Sequence, residues 1–279
     1  MKTVMEMFSL KDRLAVITGG AGLLGTKHAE AILEAGGSVA LLDLNRDRLL
    51  ATSDRLRAQH GTERVLALAT DITSGKSLSD ARDKIESYFK KNADILINNA
   101  AIDPKFENKP GAKPLSRLEA FPLEQWNLEL SVGLTGSFLA VQTFGPKMAA
   151  TGRGVILNIA SDLGLISPDQ RIYRQPGVAD DMQPVKPVTY SAIKHGLMGL
   201  TKYVATYWAK EGVRCNAFAP GGVFNNHPQE FVDKLTPLIP MGRMANVDEY
   251  KAAIVFLVSD ASSYMNGATL VFDGGRSIM

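Results

Sequence analysis

Cysteine occurs once in 279 residues, at Cys215, so the chain can close no internal disulfide and build no cysteine zinc site. Its setting, Val213-Arg214-Cys215-Asn216-Ala217-Phe218, reads as a strand in which the thiol is a small buried hydrophobe. Long apolar runs are missing too: no stretch reaches the ~18 uninterrupted residues of a membrane span. The start, Met1 to Phe8, has neither an apolar core nor a small-residue cleavage pattern, so no signal peptide is expected. Charge of one sign is also scarce. The 31 Lys and Arg against 29 Asp and Glu leave a net +2, scattered along the chain, which argues against a nucleic-acid or anionic-membrane partner. A small-molecule partner, a cytoplasmic compartment and no metal site are expected.

What is present is an ordinary globular composition, 45% hydrophobic and 22% charged, long enough for one large α/β domain or two small ones. Short apolar runs alternate with helical patterns. Leu14-Ala15-Val16-Ile17 breaks into Thr18-Gly19-Gly20-Ala21-Gly22-Leu23-Leu24-Gly25, and a helical pattern follows to Gly36-Gly37. Strand, glycine turn, helix is the setting in which a backbone can approach a pyrophosphate and seat it on helix N–H groups. The next run, Val39 to Leu42, ends at Asp43, where an acid can accept hydrogen bonds from an adenosine ribose and repel a 2′-phosphate. Arg46, a few residues on, could stack on adenine or tolerate that phosphate, but NAD is favoured over NADP.

The alternation continues through strands at 65–69, 95–97, 155–161, 213–219 and 269–272, and helices at 48–60, 76–90, 122–149, 189–210 and 247–259. Repeated strand–helix units with near-continuous apolar strands predict one doubly wound parallel sheet, covered on both faces. No repeat or linker appears, so a single domain over 1–279 is expected. Of Asn98 and Asn99, at the exit of a strand, one is expected to close the turn while nearby backbone lines a ligand cleft. The Pro-, Lys- and Glu-rich 102–121 reads as a rim of that cleft or a surface excursion. Gly133 and Gly136 interrupt a helical stripe and imply close packing or ligand approach there.

Tyr190-Ser191-Ala192-Ile193-Lys194 places a phenol and an ammonium four apart, one above the other on a helix. Free tyrosine titrates near pH ~10, and a neighbouring cation favours the phenolate and draws that value toward the useful range. Ser161, at the end of the fifth strand, can reach the same cleft.

Thr18-Gly19…Gly25, Asp43, Asp71, Asn98-Asn99-Ala100, Ser161, Tyr190-x-x-x-Lys194, Pro220-Gly221 and Asp273-Gly274-Gly275, in that order, resemble the short-chain dehydrogenase/reductase family from Lys11 to the C-terminus. The resemblance implies a Rossmann-type sheet of about seven strands, a nicotinamide cofactor and a homodimer or homotetramer, often through the helices at 122–149 and 189–210. It assigns catalysis to Ser161, Tyr190 and Lys194. It assigns the cofactor to Gly19, Gly22, Leu24, Gly25, Asp43, Asp71, Ile72, Asn99, Ala100, Tyr190, Lys194, Pro220, Gly221 and Val223.

The chain departs from the family pattern in four places. Its glycines are spaced as in the extended branch, and Ala101 stands where glycine is common. Gly133 stands where many members carry a proton-relay asparagine, so water on the Gly133 carbonyl or another route would serve. Ser161 and Tyr190 are 29 positions apart, about twice the usual separation, and 165–187 reads as an inserted active-site loop.

The expected activity is NAD(H)-dependent hydride transfer between nicotinamide and a secondary alcohol or ketone. The polar loop suggests a sugar, polyol or sugar derivative, and Pro168-Asp169-Gln170 with the stretch from Thr189 resembles a branch linked to bacterial surface-sugar and flagellin modification. Two alternatives stand beside it: an NADPH-linked 3-oxoacyl-thioester reductase, and a dinucleotide-binding subunit without turnover.

Overall fold

The computed structural model describes residues 1–102 and 113–279, so the expected rim at 102–121 lies partly outside the described residues. Seven parallel strands form one sheet: β1 (Leu14–Thr18), β2 (Ser38–Asp43), β3 (Val65–Ala69), β4 (Ile95–Asn98), β5 (Gly154–Ile159), β6 (Val213–Pro220) and β7 (Thr269–Phe272). Their order is β3-β2-β1-β4-β5-β6-β7. The order reverses between β1 and β4, which opens a crevice outside the carboxyl ends of the strands.

Side chains alternate across each strand, and the two faces bury two separate cores. On one face Ala15, Ile17, Val39, Leu41, Leu157 and Phe218 pack with α2 (Leu23–Glu34), α3 (Arg46–His60) and α9 (Lys251–Val258). On the other, Leu14, Val16, Ala40, Leu42, Ile156 and Cys215 pack with α4 (Gly75–Phe89), α6 (Gly136–Ala150) and α7 (Val188–Tyr207). A short α1 (Val4–Phe8), α5 (Leu123–Leu130) and α8 (Gln229–Leu235) complete the helices of the described residues. Cys215 is fully buried, as expected, and burial pushes its thiol up to about 12.

Two expected helices differ in detail. The helix expected over 122–149 is α5 and α6 joined through a π-helical turn, Ser131–Thr135. Gly133 is the reason for the close fit there: a Cβ on it would lie 2.7 Å from Ile193 Cγ2 of α7. Gly136 is packed in the same way against Ile72. The helix expected to reach Lys210 ends at Tyr207, because the chain must turn through Gly212, at φ +74°, to enter β6.

His28 on α2 is fully buried, and neither ring nitrogen makes a well-formed hydrogen bond among the described residues. The nearby Asn99 amide is spent on the Thr18 and Gly19 carbonyls. Burial, weakly opposed by Asn99, pushes the imidazole from 6.5 down to about 3. The native state therefore binds fewer protons than the unfolded chain below the ordinary histidine range, and stability falls as pH drops through that window. His28 should cost about 2 kcal/mol between roughly pH 7.5 and pH 5, and His28→Leu should remove that part of the acid loss in denaturant titrations at the two pH values.

Candidate active site

The crevice begins at the turn after β1. Gly19 adopts φ +62°, and a Cβ on it would approach Ala100 Cα to 2.8 Å. A Cβ on Gly25 would approach the Gly19 carbonyl oxygen to 2.1 Å, so α2 can lie against the turn only with glycine there. Gly22 precedes α2 without a side-chain cap, unlike Asn45 ahead of α3 and Ser74 ahead of α4. The N–H groups of its first turn are therefore available to an anion. Asp43 is pinned beside the turn: Ala21 N–H donates to its Oδ2 at 3.0 Å and Asn45 N–H to its Oδ1 at 3.0 Å. Each oxygen retains a lone pair. These residues fit a dinucleotide whose ribose hydroxyls meet Asp43.

Asn99 is the asparagine that closes the turn, through hydrogen bonds to the Thr18 and Gly19 carbonyls. Asn98 instead enters a buried polar thread. Its amide donates to Asn158 Oδ1 at 2.8 Å, and Asn158 donates to Thr201 Oγ1 on α7 at 2.8 Å. That thread ties β4 and β5 to the helix carrying Tyr190.

Leu24, Asn99, Pro220, Gly221 and Val223 line one cavity of about 410 Å³, together with Ser161, Tyr190 and Lys194. The three groups expected at the chemistry thus meet in one place. Asp71 and Ile72 do not line it. The Asp71 carboxylate is exposed and accepts from Thr73, and the Ile72 side chain is buried against Gly136.

Lys194 is 7% exposed and its Nζ donates to the Ile159 carbonyl at 2.8 Å. Burial first, and Lys186 second, push its ammonium down to about 8. Its Nζ lies 5.7 Å from the centre of the Tyr190 ring.

Ser161 is held by a partner that the sequence reading missed. Its hydroxyl donates to Asp162 Oδ1 at 2.7 Å, and Asp162 Oδ2 accepts from Arg276 Nη1 at 2.9 Å. Both members of the ion pair are buried, at 2% and 8% exposure. A carboxylate in a salt bridge has only lone pairs to offer, so the proton between Ser161 and Asp162 belongs to the serine. Only the tertiary fold brings Arg276, three residues from the end of the chain, to the end of β5. The Gly133 carbonyl, where a water is expected, accepts from Ser137 Oγ at 2.9 Å.

The 165–187 loop spends much of its charge on itself, through Asp169–Arg171 and Arg174–Asp180. To the cavity it presents Ile172, Tyr173 and Lys186. Ile172 also packs with Leu235, Ile239 and Met244 from the segment after β6. Of the charged residues in the loop, only Lys186 lines the cavity, beside the Tyr173 phenol.

Two family profiles divide the chain: residues 13–173 match the one described as short chain dehydrogenase, and 178–277 the one described as Enoyl-(Acyl carrier protein) reductase. The chain is 33% identical to D-threitol dehydrogenase of Mycolicibacterium smegmatis, over 97% of this chain and 95% of that protein. It is 33% identical to NAD-dependent glycerol dehydrogenase of Listeria innocua, over 97% and 96%. A crystal structure of a gluconate 5-dehydrogenase from Burkholderia cenocepacia with NADP and tartrate superposes with TM-score 0.81 at 29% identity, covering 99% of this chain and 100% of that one. A nicotinamide-dependent oxidoreductase is the class to which fold, cavity and relatives all point, and the chain belongs to the short-chain dehydrogenase/reductase family.

Proposed function

We propose that this enzyme oxidises a secondary alcohol of a polyol, sugar or sugar derivative with NAD as coenzyme, and that Tyr190 is its base. The observation that carries the reading is the meeting of Tyr190, Lys194 and Ser161 in one cavity beside the glycine turn. Tyr190 as phenolate takes the hydroxyl proton. Lys194, held on the Ile159 carbonyl, stabilises that phenolate and keeps donors for a ribose hydroxyl. Ser161 keeps its own proton, directed at Asp162 Oδ1, and rotation of that hydroxyl lets it donate to the substrate oxygen and steady the developing alkoxide while the alcohol's one proton passes to Tyr190. A bound nicotinamide supplies the hydride acceptor.

The relatives are named for threitol, glycerol and sugar acids, which supports a polyhydroxylated substrate. Asp43 supports NAD, although relatives include an NADP complex. The narrower surface-sugar and flagellin branch rests on Pro168-Asp169-Gln170 and the stretch from Thr189 alone. The loop over 165–187 is proposed as a substrate-selecting insertion, because Ile172, Tyr173 and Lys186 reach the cavity. A homodimer or homotetramer through α5, α6 and α7 draws support from their exposed Leu123, Leu128, Phe138, Tyr203 and Tyr207.

Initial rates of NADH formation over a panel of tetritols, pentitols and aldonic acids test the reading. Tyr190→Phe should lower kcat by about 10²–10⁴-fold on the best substrate; parental turnover would refute the base. Coenzyme titration should show kcat/KM at least about tenfold higher for NAD than for NADP, equivalent to about 1.4 kcal/mol. Arg276→Gln strips a buried carboxylate of its cation, which costs about 3–5 kcal/mol where relaxation is poor. It should lower both Tm and kcat/KM, and Asp162→Asn added to it should recover part of both, as read by thermal melts with steady-state kinetics.

A further inference from the structure

Lys186 stands at the mouth of the cavity, four residues before Tyr190 as Lys194 stands four residues after it. Its Nζ is 4.1 Å from the centre of the Tyr190 ring, closer than the 5.7 Å of Lys194. This position is built. The Lys186 backbone N–H donates to Gln170 Oε1 at 2.8 Å, and that of Val185 donates to Ser116 Oγ at 3.2 Å, so the chain is fixed immediately ahead of α7.

We propose that Lys186 is a positioning residue of the proton-transfer step, a second cation over the face of Tyr190 that favours the phenolate jointly with Lys194. The inference rests on Tyr190 being the base.

An ammonium over an aromatic face is attracted by the ring's quadrupole, and more strongly once the ring carries phenolate charge. The two lysines also sense each other, since Lys186 is the second cause, after burial, of the lowered Lys194 value. Their mutual repulsion is relieved when an anion forms on the phenol that both approach. The pair thus contributes to ionising Tyr190 beyond what either cation does alone. Among the described residues, the other titratable and charged groups on the cavity wall are Asp162, already paired with Arg276, His227 and Tyr173. Behind the first turn of α7, Glu129 accepts from Thr189 Oγ1 at 2.5 Å. Among the described wall groups the carboxylate of Asp162 is thus compensated by Arg276. The inserted segment thereby enters the chemistry as well as the substrate wall.

The test is the pH dependence of kcat/KM for oxidation of the fastest panel substrate at saturating NAD. In parallel, the phenolate absorbance of the NAD-bound protein is titrated, with the Tyr190→Phe protein subtracted. Lys186→Met should raise both midpoints by about one unit, equivalent to about 1.4 kcal/mol, and Lys186→Arg should restore them to near the parental value. The absorbance arm reads Tyr190 even if no panel substrate turns over. Midpoints unmoved in Lys186→Met, or moved by His227→Asn instead, would overturn the role of Lys186. Tyr190→Phe with parental turnover would overturn the base assignment itself, and the two failures are separate readouts.

Discussion

The buried ammonium of Lys194, donated to the carbonyl of Ile159, is the contact on which the site turns. Taking a charge out of water is costly unless hydrogen bonds replace the lost hydration, and here one strand carbonyl does part of that. The same desolvation makes the charge felt more strongly by a neighbouring phenol. Ile159 lies two residues before Ser161, so one strand end fixes the lysine and the serine together. The Asn98–Asn158–Thr201 thread and the fit of Ile193 against Gly133 then hold α7 against the sheet. The proposed base is therefore placed by the packing of α7 on β5 and on the helix through Gly133.

Local patterns were the legible ones. The glycine turn, Asp43 and the Tyr190/Lys194 pair each depend on residues within a turn or two of one another, and strand-to-helix alternation predicted the layered sheet. Asn99 followed because a strand exit needs side chains to satisfy its backbone. Contacts made across the fold were not legible. Asp162 is neutralised by Arg276 from the far end of the chain, a pairing that no local pattern shows. The Ile72 side chain fills the space left by Gly136, a packing partner that no local pattern shows.

The segment over 165–187 shows that composition alone leaves open which groups face a cavity. Its acids and bases suggested a wet wall, yet the salt bridges within the loop consume much of that charge, and Ile172 is drawn under the segment after β6. What it offers the cavity is an apolar surface, a phenol and an ammonium. The spacing of Lys186 from Tyr190 was visible in the sequence, but only the fixed backbone ahead of α7 brings its charge over the ring. Gly133 likewise read as a missing relay group, and the structure gives a packing reason for it.

A crystal structure with NAD and a slowly turned-over polyol tests the account most directly. It predicts one substrate oxygen within about 2.6–3.2 Å of both Tyr190 Oη and Ser161 Oγ, with Lys194 Nζ still on the Ile159 carbonyl. A polyol bound with its reacting oxygen against other groups, and Tyr190 turned away from it, would contradict it.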